Sequence, residues 1–125
     1  MQSIHIKIAL IGDKQTGKTR FTRLVNNIER TDYKPTMGVD VEIKDIIHNG
    51  NKYVLNLWDC AGDERYLGLG KDYLINCHYV LLFTNQDANK TERFKQWIPE
   101  NINYHTVQST DLNAESHINR ILNEI

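Results

Sequence analysis

The chain has 125 residues, 40% of them hydrophobic and 25% charged, which predicts one domain over 1–125 with room for a single core. Its 15 basic and 16 acidic residues leave a net charge of -1, so no overall field favours nucleic acid or an anionic membrane as a partner. The chain has no apolar run of transmembrane length and no cysteine near its last residues to carry a lipid, so we expect a protein without a membrane anchor. It has too few cysteines for a disulfide framework, so we expect an intracellular protein of the cytoplasm or nucleus.

The first predicted elements are a strand, a glycine-containing loop and a helix. The run 5–11 is mostly apolar and predicts a strand buried on both faces, and apolar residues recur at helical spacing over 21–28. Between them the chain reads GDKQTGKT, which fits the phosphate-binding pattern G-x-x-x-x-G-K-[ST]. The candidate nucleotide-binding residues of this segment are Gly12, Asp13, Lys14, Gln15, Thr16, Gly17, Lys18, Thr19 and Arg20.

This loop has the chemistry of a phosphate site. Its backbone N–H groups would surround phosphate oxygens at the positive end of the following helix. The Lys18 ammonium would reach the outer phosphates, and the Thr19 hydroxyl would ligate a magnesium ion. The alternative is a chance match in a glycine-containing turn, but the flanking strand and helix favour the phosphate site.

The remaining elements alternate as in an α/β fold, with one hairpin near the start. Apolar and polar residues alternate over 39–44 and again over 53–57, around a turn at Asn49-Gly50-Asn51, which predicts an antiparallel edge strand. Further along the chain the pattern predicts a helix over 66–75, a buried strand over 79–84, a helix over 91–98 ended by Pro99, a strand over 104–108 and an amphipathic helix over 118–125.

Two further clusters carry metal-binding chemistry. Asp59 leaves the end of an apolar strand, and Gly62 follows it in the pattern D-x-x-G. An aspartate beside a phosphate loop can hold magnesium, usually through a water, and a glycine lets a backbone N–H approach the terminal phosphate. Thr36 lies between the first helix and the hairpin, where a loop could fold it onto the metal. The sequence therefore predicts three magnesium ligands, namely Thr19, Thr36 and Asp59.

In this order and at this spacing, the three clusters resemble the Ras superfamily of small GTP-binding proteins over about residues 4–98. The motifs GD and TGKT, then PTMGVD and WDCAGDERY, are most similar to those of Ran and Rab proteins. The resemblance implies a P-loop NTPase-like three-layer fold, truncated here, whose mostly parallel sheet has one antiparallel edge strand. It also implies a GTP-binding switch that holds GTP or GDP with Mg²⁺.

The resemblance assigns roles to individual residues. It implies that Lys18 binds the β and γ phosphates, that Thr19 and Thr36 bind magnesium, that Asp59 binds its water shell and that Gly62 binds the γ-phosphate. It further implies that residues 31–40 form switch I and residues 60–73 form switch II, through which protein effectors or regulators would bind.

Departures from the family pattern concern hydrolysis first. Asp63 stands where the family has a glutamine that orients the attacking water, and its carboxylate would face a phosphate of like charge. Lys14 and Gln15 stand where Ran-like proteins have paired glycines. We favour the interpretation that Lys14 pairs with Asp63 and occupies the place of the water; in the competing one, Lys14 stabilises transition-state charge. Hydrolysis is predicted to be slow or lost, with Asp63 and Lys14 as the residues that decide it.

Base recognition departs as well. The N-K-x-D and S-A-K motifs of the family are both incomplete. Either Gln108-Ser109-Thr110-Asp111 is a remnant of the first, with Asp111 accepting from guanine, or Ser109-Thr110 descends from the second and the intervening strand and helix were deleted.

Three functions remain open. The favoured one is a switch with weak hydrolysis. The second is a pseudo-GTPase module that mimics a Ran- or Rab-like protein and sequesters its regulators or effectors, and the third is a small P-loop kinase, for which no arginine-rich lid is found.

Other conspicuous residues have plainer interpretations. The five histidines are scattered, and Cys77-His78 has no second ligand pair at metal spacing, so surface or strand positions are favoured over a zinc site. Trp58 fits the core and a partner-facing surface equally well, and the apolar residues over 118–125 fit a helix packed on the sheet.

Overall fold

The computed structural model describes residues 3–12, 17–25, 39–60, 74–84, 88–108, 110 and 113–125. Over these ranges strands and helices follow one another along the chain. They are β1 (Ser3–Gly12), α1 (Lys18–Val25), β2 (Val39–His48), β3 (Asn51–Cys60), β4 (Tyr79–Thr84), α2 (Ala88–Lys95), β5 (Asn103–Gln108) and α3 (Ala114–Glu124). The helix predicted over 66–75 lies almost wholly outside the described residues.

The strands form one mixed sheet in the order β2-β3-β1-β4-β5. β1 is parallel to both β3 and β4, and β5 is parallel to β4. β2 runs antiparallel to β3 at the edge, because the turn at Asn49 and Gly50, with φ of 50° and 80°, returns the chain at once. The predicted fold class, a mostly parallel sheet with one antiparallel edge strand, is confirmed.

The core lies on both faces of this sheet. All six residues of β4 are buried, and the first five alternate between two apolar clusters. Tyr79, Leu81 and Phe83 pack in the cluster that α1 and α3 cover, whereas Val80 and Leu82 pack in the cluster that α2 covers. A strand covered on both faces loses the polar alternation of a half-exposed strand, which is why β4 reads as a continuous apolar run.

Several predicted boundaries are wrong. α2 begins at Ala88 and ends at Lys95, four residues before Pro99, so the proline does not end it. The backbone of the next residues turns tightly, with Ile98 N–H donating to the Lys95 carbonyl at 3.1 Å. Leu24 in α1 is 44% exposed and Ile125 is 50% exposed just beyond α3, so neither contributes to the core as helical spacing suggested.

The apolar side of β2 faces away from the core. Val41, Ile43 and Ile47 are exposed by 45%, 60% and 71%, whereas Ile46, on the other side of the strand, packs against the first cluster. The side chain of Trp58, on the neighbouring strand, is half-buried against the second cluster and has the Lys7 ammonium 3.9 Å from its ring centroid. The described helices are all too short to cross a membrane, the longest having 11 residues.

Candidate functional site

The candidate site lies where the parallel strands end. β1, β3, β4 and β5 all point their carboxyl ends to the same edge of the sheet, and the register sets Leu10 of β1 beside Asp59 of β3. α1 begins just beyond that edge, at Lys18. In open α/β sheets ligands bind at this edge, and the topology brings the start of α1, with Lys18 and Thr19, to the same edge as Asp59.

Gly12 and Gly17 bound the loop. Gly12 has φ of 141°, and a Cβ at this position would lie 2.4 Å from the Phe83 carbonyl oxygen. Only glycine therefore fits at the point where β1 separates from β4. Gly17, with φ of 97°, accepts the first hydrogen bond of α1 from the N–H of Phe21 at 2.8 Å. Phe21 in turn meets Phe83 edge to face, with ring centroids 5.4 Å apart. These contacts fix the start of α1 against β4.

Lys18 reaches from the start of α1 back to the end of β1. Its side chain is buried, with 6% exposed, and its Nζ donates to the Gly12 carbonyl at 2.9 Å. The charge of Lys18 also reaches the thiol of Cys60 at the end of β3: burial and Asp59 raise the pKa of Cys60, while Lys18 lowers it, and the balance brings it to about 12. A buried ammonium at the start of a helix has the charge and the position to bind an anionic ligand such as a phosphate.

Thr19 and Asp59 form the second contact of the site. The Thr19 hydroxyl donates to Oδ2 of Asp59 at 2.6 Å, across 40 positions of sequence, and Asp59 is 1% exposed. A hydroxyl has one proton and two lone pairs, so a threonine that gives its proton to a carboxylate keeps its lone pairs for a cation. Oxygen ligands of this kind are the ones that Mg²⁺ prefers. The two residues therefore fit the metal that the sequence predicts.

The other predicted site residues divide into two groups. Arg20 is exposed on α1, one position after Thr19. The others lie outside the described residues, as do most of the ranges 31–40 and 60–73, and their roles stay predictions. They are Asp13, Lys14, Gln15, Thr16, Thr36, Gly62, Asp63 and Asp111.

Sequence patterns missed two features. The first is Phe83, whose carbonyl and ring position Gly12 and Phe21; its apolar character is indistinguishable from that of its neighbours in β4. The second is a contact between His105 and His117, two histidines that lie far enough apart in the sequence to be interpreted as scattered. Alternation in β5 carried a signal for it, because His105 shares its side of the strand with the buried Val107.

Comparisons with known proteins agree with this geometry. Residues 7–114 match the family model described as Roc: Ras of Complex, Roc, domain of DAPkinase. The chain is 36% identical over 94 residues to the Ras and EF-hand domain-containing protein of Xenopus tropicalis, covering 74% of this chain and 13% of that protein. It is 33% identical over 109 residues to Ras-related protein RabC of Dictyostelium discoideum, covering 84% of this chain and 55% of that protein.

A third relative is Ras-related protein Rab-36 of Mus musculus, 33% identical over 96 residues, which covers 75% of this chain and 36% of that protein. The chain thus spans between 13% and 55% of the length of these three relatives. They are Ras- and Rab-related, and the likeness to Ran that the motifs suggest stays a prediction.

Proposed function

This chain belongs to the Ras superfamily of small GTPases, through the Roc family whose model it matches, and from that premise we propose that it is a GTP-binding switch with slow or absent hydrolysis. The observation that carries the proposal is the contact between Thr19 and Asp59 beside the buried Lys18. It unites a metal-ligand pair and a phosphate-binding charge at the edge of the sheet where nucleotides bind in such folds.

In the proposed complex, each of these residues has a distinct task. Lys18 binds the β and γ phosphates, Thr19 and Thr36 ligate Mg²⁺, and Asp59 orients Thr19 and holds the water shell of the metal. When bound, Mg²⁺ supplies positive charge to the β and γ phosphate oxygens. Binding of GTP rather than GDP would then order residues 31–40 and 60–73, which would present the surface for effectors or regulators.

Slow hydrolysis follows from two residues of the sequence. Asp63 has no amide to orient an attacking water, and its carboxylate would face a phosphate of like charge. Lys14 would occupy the water's place by pairing with Asp63. Single-turnover GTP cleavage tests this: the Asp63→Gln variant should cleave faster than the natural chain, and an unchanged rate would show that Asp63 is not the limiting defect.

A second function is favoured by the same contacts. The described bonds from Lys18 to Gly12 and from Thr19 to Asp59 join groups of the protein itself, so they keep the shape of this described part of the site. A pseudo-GTPase, which mimics a Ran- or Rab-like protein and sequesters its regulators or effectors, needs that shape and no nucleotide.

Ligand binding separates the two functions. The purified protein is denatured to identify any released nucleotide, and GDP, a GTP analogue and ATP are titrated with and without Mg²⁺. Mg²⁺-dependent, guanine-selective binding supports the switch, no binding at all supports the pseudo-GTPase, and equal ATP binding supports a P-loop kinase.

A pair of variants localises the metal effect. Thr19→Ala removes the proposed ligand and should weaken Mg²⁺-dependent binding by at least about 10- to 100-fold, the loss that changing an outer-shell partner of a metal ligand already causes. Thr22→Ala is the matched control, because the Thr22 hydroxyl lies one turn away and donates to the Thr19 carbonyl at 2.8 Å. Equal losses in the two variants would contradict a metal role for Thr19.

A further inference from the structure

A chain of four polar side chains joins α3 to the sheet. Tyr79, the first residue of β4, donates from Oη to Oε2 of Glu124 at 2.7 Å. The same Oη lies 2.8 Å from Nδ1 of His105, and Nε2 of His105 lies 2.9 Å from Nδ1 of His117. Tyr79 and His105 are 0% and 4% exposed on neighbouring strands, whereas His117 and Glu124 lie two turns apart on α3. We call these four residues the α3 latch.

The hydrogen bonds of the α3 latch have one direction. The carboxylate of Glu124 only accepts, so the single proton of Tyr79 goes to it, and the Tyr79 oxygen must accept from His105 Nδ1. A neutral imidazole with its proton on Nδ1 has a bare Nε2, which then accepts from Nδ1 of His117. Every donor therefore meets an acceptor while His105 is neutral, and aligned bonds of this kind strengthen one another.

A proton on His105 breaks this order. Its Nε2–H would face the Nδ1–H of His117 at 2.9 Å unless His117 moved its own proton to Nε2, and in either case a positive charge would lie at a side chain that is 4% exposed and faces Arg120. The charged and titratable groups that face His105 are Tyr79 on β4 and His117, Arg120 and Glu124 on α3. Burial first, and then the charges of Arg120 and His117, lower the pKa of His105 from 6.5 to about 4, although Glu124 acts in the opposite direction.

We propose that the α3 latch is a proton-operated device, which holds α3 on the sheet near neutral pH and makes α3 open more often in acid. On release, the His105 imidazole reaches water and takes up a proton more readily than it does when latched, so acid favours the released helix. Release also uncovers Phe21 of α1, whose ring lies 6.0 Å from the His117 ring. The device thus connects the last helix to the helix that carries Lys18 and Thr19.

The size of the effect follows from proton binding. An imidazole with a pKa of 6.5 when released and about 4 when latched shifts the opening equilibrium of α3 by about thirtyfold between pH 7.5 and pH 5. The apolar contacts of Ile118, Ile121 and Leu122 also hold the helix, so the latch changes the frequency of opening and leaves the rest of the fold in place.

Hydrogen exchange on the full chain tests the proposal. Amide protection is measured by mass spectrometry at pH 7.5 and pH 5, corrected for intrinsic exchange rates, for peptides covering Ala114–Glu124 and Ala88–Lys95. We expect protection of α3 to fall by about thirtyfold between the two pH values, and that of α2, on the other face of the sheet, by less than about threefold. Equal changes in the two helices would overturn the proposal.

Two variants assign the effect to the buried imidazole. In His105→Gln, which does not titrate, protection of α3 should be the same at both pH values. His48→Gln is the matched control, since His48 Nε2 lies 3.1 Å from Oδ1 of Asn123 on the same helix but is not part of the latch. It should keep the thirtyfold response; a response that survives in His105→Gln, or that disappears in His48→Gln, overturns the proposal.

A measurement on the natural chain tests the proposal even if the variants do not fold. ¹⁵N NMR of the imidazoles should show His105 neutral at pH 6, with its proton on Nδ1, the less common tautomer. Protonation of His105 near pH 6.5, or a proton on Nε2 instead, would overturn the proposal whatever the variants do.

Discussion

Replacing Gly12 by alanine should destabilise the fold through backbone geometry rather than through lost side-chain contacts. Gly12 has φ of 141°, a region that residues with a Cβ avoid, and the added Cβ would lie 2.4 Å from the Phe83 carbonyl oxygen. That oxygen belongs to the backbone of a fully buried strand, so it cannot rotate away as a side chain would. Gly50→Ala is the matched control, because Gly50 has φ of 80° and its added Cβ would have no atom within 4 Å.

The two variants separate strain from overlap. In Gly50→Ala a left-handed backbone costs about 1–2 kcal/mol, partly offset by the smaller entropy of the unfolded alanine chain, so a net loss of about 1 kcal/mol is expected. In Gly12→Ala the overlap with Phe83 adds a packing cost to a similar strain, which gives about 3–5 kcal/mol. For a domain of this size the Tm should fall by about 10–20 °C in Gly12→Ala and by about 3–5 °C in Gly50→Ala.

Urea unfolding followed by circular dichroism measures both free energies, and thermal scans give the Tm values. A loss in Gly12→Ala no greater than that in Gly50→Ala would show that β1 can move away from Phe83, which would refute the close approach of the two strands as the reason for glycine. A change of the m-value in either variant would mean that the unfolding transition itself had changed, and the comparison would then be repeated by hydrogen exchange of β4.

Three further outcomes are expected. Folding lowers the pKa of His105 from 6.5 to about 4, so the unfolded chain takes up this proton first as the pH falls. The free energy of unfolding should therefore drop by about 3 kcal/mol between pH 6.5 and pH 4. Urea unfolding across that pH range checks the prediction, and a free energy of unfolding that does not change with pH contradicts it. Burial raises the pKa of Cys60 from 9.0 to about 12, which lowers its thiolate fraction at pH 8 by about 1000-fold, so Ellman's reagent should label Cys60 in urea and scarcely in the native protein. Lys7→Met removes a 2.8 Å bond to the Ile75 carbonyl and the ammonium over Trp58, which should cost about 1–2 kcal/mol and alter the tryptophan emission; an unchanged emission spectrum would contradict the contact.

The errors in predicting helix ends have a common physical origin. Trp97 and Ile98 continue the helical spacing of Phe94, yet they lie in the turn beyond α2. Both still pack against the same cluster as Phe94, because a turn can deliver side chains to a core as well as a helix can. Conversely, Leu24 has the spacing of a core residue in α1 and is 44% exposed. Helical spacing indicates which way a side chain points, but not whether another element packs over it.

The amino-acid sequence by itself determined what depends on neighbouring positions: the apolar run of β4, the tight turn of the hairpin, and the loop that leads from Gly12 to Lys18 and Thr19. These features follow from local backbone preferences and periodicity, which a few consecutive residues specify. Only the tertiary structure decided which distant side chains bond to each other directly. The sequence predicts Thr19 and Asp59 at one metal but not the bond between them across 40 positions, and it gives no sign of the bond from Tyr79 to Glu124 across 45. Strand order and register set those distances, and both depend on the packing of the whole sheet.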